Sequence, residues 1–148
     1  MFKKLPEWKE EAILVLRVIL GVIFVMHGAQ KVLGLFGGPG LQATVQNFQA
    51  HLGIPPILGY TAAFTEFFGG IALVLGALTQ LAALGIGITM LVAMFRVHLV
   101  NGFFLNWFCE AGKGHGFEYN VALTAMSLAL LLTGGGKYSL DQKFCKCS

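Results

Sequence analysis

Residues 57–100 read ILGYTAAFTEFFGGIALVLGALTQLAALGIGITMLVAMFRVHLV. Two apolar runs, 57–78 and 81–100, each come close to the roughly 20 residues that a helix needs to cross the hydrocarbon core of a bilayer. Only Thr79-Gln80 lies between them, so the sequence predicts two antiparallel neighbouring spans joined by a tight turn. Each run carries ionisable residues, Glu66 in the first and Arg96 and His98 in the second. Such residues are costly inside a membrane, which makes each a functional candidate.

Working outward, residues 12–29 and 117–133 supply two more apolar runs, and Gly134-Gly135-Gly136 stops the last. The composition agrees. The 148 residues are 56% hydrophobic and 11% charged, against roughly 25% charged in a soluble domain. Disorder is excluded, since it needs low hydrophobicity and high charge. Three cysteines are too few for a disulfide-framed domain. The net charge of +3 is modest and forms no basic patch, so no nucleic-acid partner is expected. The expected fold is an all-α membrane protein, with four transmembrane helices in a bundle and a short amphipathic helix in the first outer loop. It forms one domain over residues 1–148, with 134–148 as a cytoplasmic tail.

Lys3, Lys4 and Lys9 precede the first span, and Lys137, Lys143 and Lys146 follow the last, whereas the two long loops hold only Lys31 and Lys113. The positive-inside rule places both termini in the cytoplasm and both long loops outside. A cleaved signal peptide is the competing reading of the N-terminus. Val25-Met26-His27-Gly28-Ala29 is a poor cleavage site and the apolar run is long for a signal, so the segment reads as a span. In the first outer loop Leu41, Val45, Phe48 and Leu52 recur at helical spacing, which predicts an amphipathic helix at the membrane surface. The preceding Phe36-Gly37-Gly38-Pro39-Gly40 lacks a following Gly-Lys-[Ser/Thr] and is no phosphate loop. The second outer loop clusters Phe103, Phe104, Trp107, Phe108, Phe117 and Tyr119, which read as an interfacial belt or the rim of an apolar ligand site.

The polar residues converge on one side. His27, Gln30, Lys31, Arg96, His98, Asn101 and Glu118 all fall toward the outer ends of their helices, with Glu66 nearer mid-depth. These eight are the candidate ligand-binding residues. His27-x-x-Gln30 and His98-x-x-Asn101 also suggest a weak internal repeat, each followed by a helix bearing a glutamate. Heights along antiparallel neighbours predict a Glu66–Arg96 ion pair. Arg17, near the inner end, is expected to snorkel to the headgroups. Ala62, Glu66 and Gly70 share a face whose small residues would let a neighbouring helix approach Glu66. His27 and His98 read as makers of interhelical hydrogen bonds in preference to haem ligands, and no metal site is expected. A quinone fits the set better. The polar side chains supply donors for its carbonyls, and Phe64, Phe67, Phe68 and Phe95 supply walls. Cys109 falls in the outer loop, and Cys145 and Cys147 form an unassigned Cys-Lys-Cys tail.

The chain resembles the DoxX family. The motifs that carry the resemblance are His27-Gly28-Ala29-Gln30-Lys31, Phe36-Gly37-Gly38, Leu52-Gly53-Ile54-Pro55-Pro56, Glu66-Phe67-Phe68-Gly69-Gly70, Val97-His98-Leu99-Val100-Asn101-Gly102-Phe103-Phe104, Glu118-Tyr119 and Gly136-Lys137-Tyr138-Ser139-Leu140-Asp141. Gln80 and Lys137 stand where the family pattern has arginine. The resemblance implies a four-helix protein of the bacterial inner membrane. The family is named for a small subunit of a quinol oxidase complex, and related subunits accompany thiosulfate:quinone oxidoreduction. The expected function is therefore a redox-linked membrane subunit that binds a quinone or similar small aromatic in the outer half of the bundle. A membrane or peripheral redox protein is the expected partner. The alternative is a non-enzymatic receptor or assembly factor for a protein or lipid. A homo-oligomer is compatible with so small a bundle.

Overall fold

A computed structural model describes residues 8–145. The Cys-Lys-Cys tail reading falls on Cys145 and Cys147 and lies outside the described side chains. The described residues contain six α-helices and no strand: α1 (Lys9–Leu33), α2 (Leu41–Leu52), α3 (Pro56–Leu75), α4 (Thr79–Ala93), α5 (Glu118–Thr133) and the short α6 (Leu140–Cys145). A π turn over Met94–His98 and a 3-10 turn over Leu99–Asn101 prolong α4. Three helices are long and apolar enough to cross a membrane: α1, α3 and α4 with its extension to Asn101. The fourth, α5, is apolar but has 16 residues.

These four helices surround one core that includes Leu20, Phe24, Leu73, Ile86, Leu123 and Leu130. Their outward faces stay apolar. Val15, Ile19, Val22 and Met26 form an exposed stripe on α1, and Leu81, Leu84, Ile88 and Leu91 form one on α4. Apolar residues outside as well as inside are what a lipid solvent permits.

The tightest seam joins α1 and α3, because glycine replaces side chains where the backbones meet. A Cβ on Gly21 would stand 2.8 Å from the Gly70 carbonyl oxygen, and one on Gly70 would stand 2.6 Å from the Val25 nitrogen. A Cβ on Gly28 would strike the Phe67 backbone. Of the small face expected around Glu66, Gly70 meets the backbone of α1, while Ala62 lines a cavity instead. The turn between α3 and α4 falls at Gly76-Ala77-Leu78, two to three residues earlier than expected. Gly76 has φ of +69° and ends α3 with backbone bonds from Gly76 and Ala77 to Leu73 and Ala72. The first-loop helix is α2, as expected. Its Val45 is buried over Gly59 of α3, so the apolar face is turned onto the protein as well as away from water.

Arg17 does not snorkel. It is 1% exposed, and its guanidinium donates to the Leu73 and Val74 carbonyls (both 2.9 Å) and to that of Tyr138 (3.1 Å). A buried cation is tolerated here because the last carbonyls of α3 present the negative end of a helix dipole. Asp141 completes this knot. Its carboxylate accepts from the Leu78 N–H (2.6 Å) and the Thr79 N–H (2.9 Å), capping α4 from a distant part of the chain. Leu78 sits at φ of +49°, uncommon for a residue with a side chain, and the Asp141 bond holds it there.

Partial burial alone would raise the Asp141 pKa. The Thr79 and Leu78 N–H bonds and the Arg17 charge outweigh that effect and hold it below the ordinary carboxylate value. A carboxylate depressed in the folded state stabilises above its unfolded pKa and loses that contribution as pH falls through the folded one. Asp141→Asn is therefore expected to cost about 1 kcal/mol at neutral pH, read as a lower melting temperature in detergent. The gap to wild type should close on acidification below pH ~4. Gly70→Val should cost about 2 kcal/mol in the same assay. Gly87→Ala, whose Cβ would meet Ser127 at an ordinary 3.4 Å, should cost less than half of that.

Candidate functional site

A cavity of about 1120 Å³ opens between the α2 end of α1, α3 and α4 and the start of α5. It is larger than the roughly 300–1,000 Å³ usual for small-molecule sites. Most of its wall is apolar, and the polar groups are few and specific, as orientation of a ligand requires.

Five of the eight candidate residues line it: His27, Lys31, Glu66, Arg96 and His98. At its floor the Lys31 ammonium donates to the Glu66 Oε2. The Glu66 side chain is 4% exposed and that of Lys31 is 23% exposed. This contact follows from the α1–α3 seam, since Gly28 lies against Phe67 and brings the last turn of α1 down beside Glu66.

The expected Glu66–Arg96 pair does not form. Arg96 instead donates to the Leu52 carbonyl at the C-terminus of α2. The reason is the π turn, whose extra residue changes the direction in which 94–98 point relative to a regular helix. A guanidinium at a helix C-terminus meets unpaired carbonyls and a favourable dipole. Among the described residues Arg96 has no carboxylate within ion-pair reach. On the other side of the mouth, His98 Nδ1 lies 2.9 Å from the His115 carbonyl oxygen. Arg96 and His98 thus point apart, as their spacing requires, and tie the end of α4 to α2 and to the 102–117 loop.

Gln30, Asn101 and Glu118 do not line the cavity. Gln30 donates to the Phe36 carbonyl (3.3 Å) and secures the bend after α1. Asn101 donates to the carbonyls of Val97 (3.3 Å) and His115 (3.2 Å). Glu118 accepts from the Leu105 N–H (2.9 Å) and the Trp107 indole (3.3 Å). Together with Asn106, whose amide bonds Glu110 and Lys113, they fold the second loop. The two His-x-x-amide motifs accordingly differ in setting, one on a regular helix and one across a π and a 3-10 turn.

The aromatic walls also differ from expectation. Phe64, Phe67 and Phe68 stack along α3 and line none of the cavity. Phe95 does line it, together with Phe24 and Phe48. Of the second-loop aromatics only Tyr119 reaches the wall, while Phe104, Trp107 and Phe108 are exposed and Phe103 packs edge-on against Phe104 and Phe117.

Sequence reading missed Asn120. It is 5% exposed on the cavity floor, and its amide nitrogen has only the Met90 sulfur, at 3.8 Å, as a partner. The available signal was an amide two residues inside an apolar helix. Among the described residues no three His, Cys, Asp or Glu side chains come together to hold a metal ion.

Helices with apolar outer faces and a mostly apolar cavity floored by an ion pair define a helical membrane protein with a ligand-sized interior site. The chain belongs to the DoxX family, whose model matches residues 12–99. It is 33% identical over 128 residues to a protein of Bacillus subtilis (strain 168) named "Putative oxidoreductase CatD", covering 86% of this chain and 83% of that one. It is 28% identical over 135 residues to "Inner membrane protein YqjF" of Escherichia coli (strain K12), covering 90% of this chain and 92% of that one. No solved structure matches it.

Removing one partner of a buried ion pair strands the other charge. Lys31→Met leaves the buried Glu66 carboxylate unpaired and is expected to cost about 3 kcal/mol. Glu66→Gln leaves an ammonium that can turn into the cavity and should cost less. The double variant should be more stable than Lys31→Met, which thermal unfolding of the four proteins in one detergent measures.

Proposed function

We propose that this chain is a redox-linked membrane subunit that holds a quinone or a similar small aromatic carbonyl compound in the α1–α3–α4–α5 cavity. The observation that carries this reading is the floor of the cavity. The Lys31–Glu66 pair stands on one side of it and the underused Asn120 amide on another, with His27 lining the cavity from an exposed position on the last turns of α1, beneath apolar and aromatic walls. A quinone ring presents two carbonyl oxygens and apolar faces. His27 or Lys31 would donate to one carbonyl and Asn120 to the other. Quinone reduction takes up two electrons and two protons, and the Lys31–Glu66 pair and His27 are the groups placed to pass protons. In this reading a membrane or peripheral redox partner delivers the electrons. The name "Putative oxidoreductase" of the Bacillus relative supports the redox link.

The same proposal takes the chain as one membrane domain in which α5 makes a fourth crossing. Its 16 residues extend about 24 Å, slightly under the hydrocarbon thickness, and it lies along α4 with Val121, Leu128 and Leu132 outward. Lys9, Lys137 and Lys143 lie at the α6 end, which supports a cytoplasmic placement of that end. "Inner membrane protein" in the name of the Escherichia relative supports the compartment.

One observation favours a second reading, as a receptor or assembly factor. Phe104, Trp107 and Phe108 are 72%, 72% and 89% exposed on a loop that is otherwise well bonded. Photocrosslinking from Trp107 distinguishes the two: a discrete protein adduct supports the receptor, and lipid adducts alone support an interfacial belt.

The test of the first reading is equilibrium binding of menadione to the protein in lipid nanodiscs. Wild type should bind with one-to-one stoichiometry. His27→Leu and Asn120→Leu should each weaken binding about tenfold, the effect of losing one hydrogen bond. Absence of binding to wild type, or wild-type affinity in both variants, overturns it.

A further inference from the structure

The cavity is not closed toward the hydrocarbon. Its lining residues separate into a floor and a mouth by exposure. Phe24, Glu66, Met90, Asn120 and Leu123 are all buried. Leu58 of α3, Ile88 and Val92 of α4, and Phe95 of the π turn that prolongs α4 line the same cavity yet are 55%, 53%, 43% and 61% exposed. These four sit on the two helices that the membrane would flank. Toward the α3–α4 turn the pair is closely packed, with the site of a Gly69 Cβ only 3.4 Å from Ile86 and that of a Gly85 Cβ 2.8 Å from Thr65. Beyond Gly85 the small Ala62 and Thr61 face the space, and the helices leave a gap that no side chain fills. At the top Arg96 and α2 close it off from the loop end.

The geometry points to a lateral portal between α3 and α4, through which a membrane-dissolved ligand with a polar ring and a long apolar tail enters and from which its tail emerges into the bilayer. This rests on the ring-binding reading of the floor and adds the class of ligand and its route. An apolar, lipid-facing exit beside an end that carries Lys31, Glu66 and Asn120 matches an amphiphile laid head-first, its tail running past Ile88 and Val92, while Arg96 and His98 are held by the Leu52 and His115 carbonyls. The volume supports it, since about 1120 Å³ exceeds what a single ring occupies. A water-borne ligand would have no use for an exit lined by leucine, isoleucine, valine and phenylalanine.

The experiment compares two probes in nanodiscs, menadione and the same naphthoquinone bearing a polyisoprenoid tail. The proteins are wild type, Ile88→Trp, Val92→Trp and, on the opposite rim, Leu58→Trp. All three positions are exposed, so an indole there leaves the core intact, which unchanged melting temperatures verify. The expected result is that wild type binds both probes and that each tryptophan lowers the affinity for the tailed probe about tenfold relative to menadione, because an indole occupies the space the tail needs. An unchanged ratio of the two affinities in all three variants overturns the portal while leaving the ring site standing. So does binding of menadione but not the tailed probe by wild type. Failure of wild type to bind either probe overturns the ring-binding reading and the portal with it.

Discussion

The backbones of α1 and α3 touch where Gly21, Gly28 and Gly70 remove the side chains, and the remaining features of the site follow from that contact. Within lipid there is little hydrophobic drive between helices, so close backbone approach and the dispersion it allows are what hold two spans together. At this separation the last turn of α1 lies beside the middle of α3. Lys31 then reaches Glu66 from a half-buried position and gives the buried carboxylate its partner. A wider seam would leave a carboxylate at depth without a partner, which a membrane does not tolerate. The Arg17–Asp141 knot does comparable work at the α6 end, where it fastens the α3–α4 turn and the last helix together.

The helix pairs are packed unequally, and the inequality makes the cavity. Along α1 and α3 glycines bring the backbones together over several turns. Along α3 and α4 close contact ends near Gly85 and Thr65. The π turn at 94–98 then swings Arg96 toward α2 and His98 toward the second loop, so that the end of α4 is anchored on both sides while the space beneath stays open. The buried end of that space carries Glu66 and Asn120, and its exposed rim along α3 and α4 is apolar, an arrangement suited to a ligand held by its head.

Much of this was legible in the sequence. Four apolar runs, their boundaries to within a few residues, the amphipathic α2 and the convergence of polar side chains toward one end follow from hydropathy and period. The motifs from His27 to Asp141 pointed to the DoxX family, to which the chain belongs. Pairings were not legible, because they depend on helix rotation and on local departures from a regular helix. Height alone matched Glu66 with Arg96. The π turn, which no spacing announces, gave Arg96 to α2 and left Glu66 to Lys31. Arg17 looked like an ordinary snorkelling residue because its acceptors are main-chain carbonyls from α3 and from Tyr138, invisible in a side-chain pattern. Composition alone does not tell a wall residue from a lipid-facing one, and Phe64 and Phe68 lie on the outward face of α3. Asn120 escaped notice as a single amide near a helix start.

The central claim is that the floor built by Lys31, Glu66, His27 and Asn120 receives the ring of a membrane-borne ligand. Photolabelling with an azidoquinone in nanodiscs, followed by peptide mass spectrometry, tests it most directly. The account predicts adducts concentrated in residues 24–31 and 58–66 and around 88–98 and 119–123, competed away by unlabelled quinone. Adducts spread instead along the outward stripe Val15, Ile19, Val22 and Met26, and insensitive to competition, would contradict it.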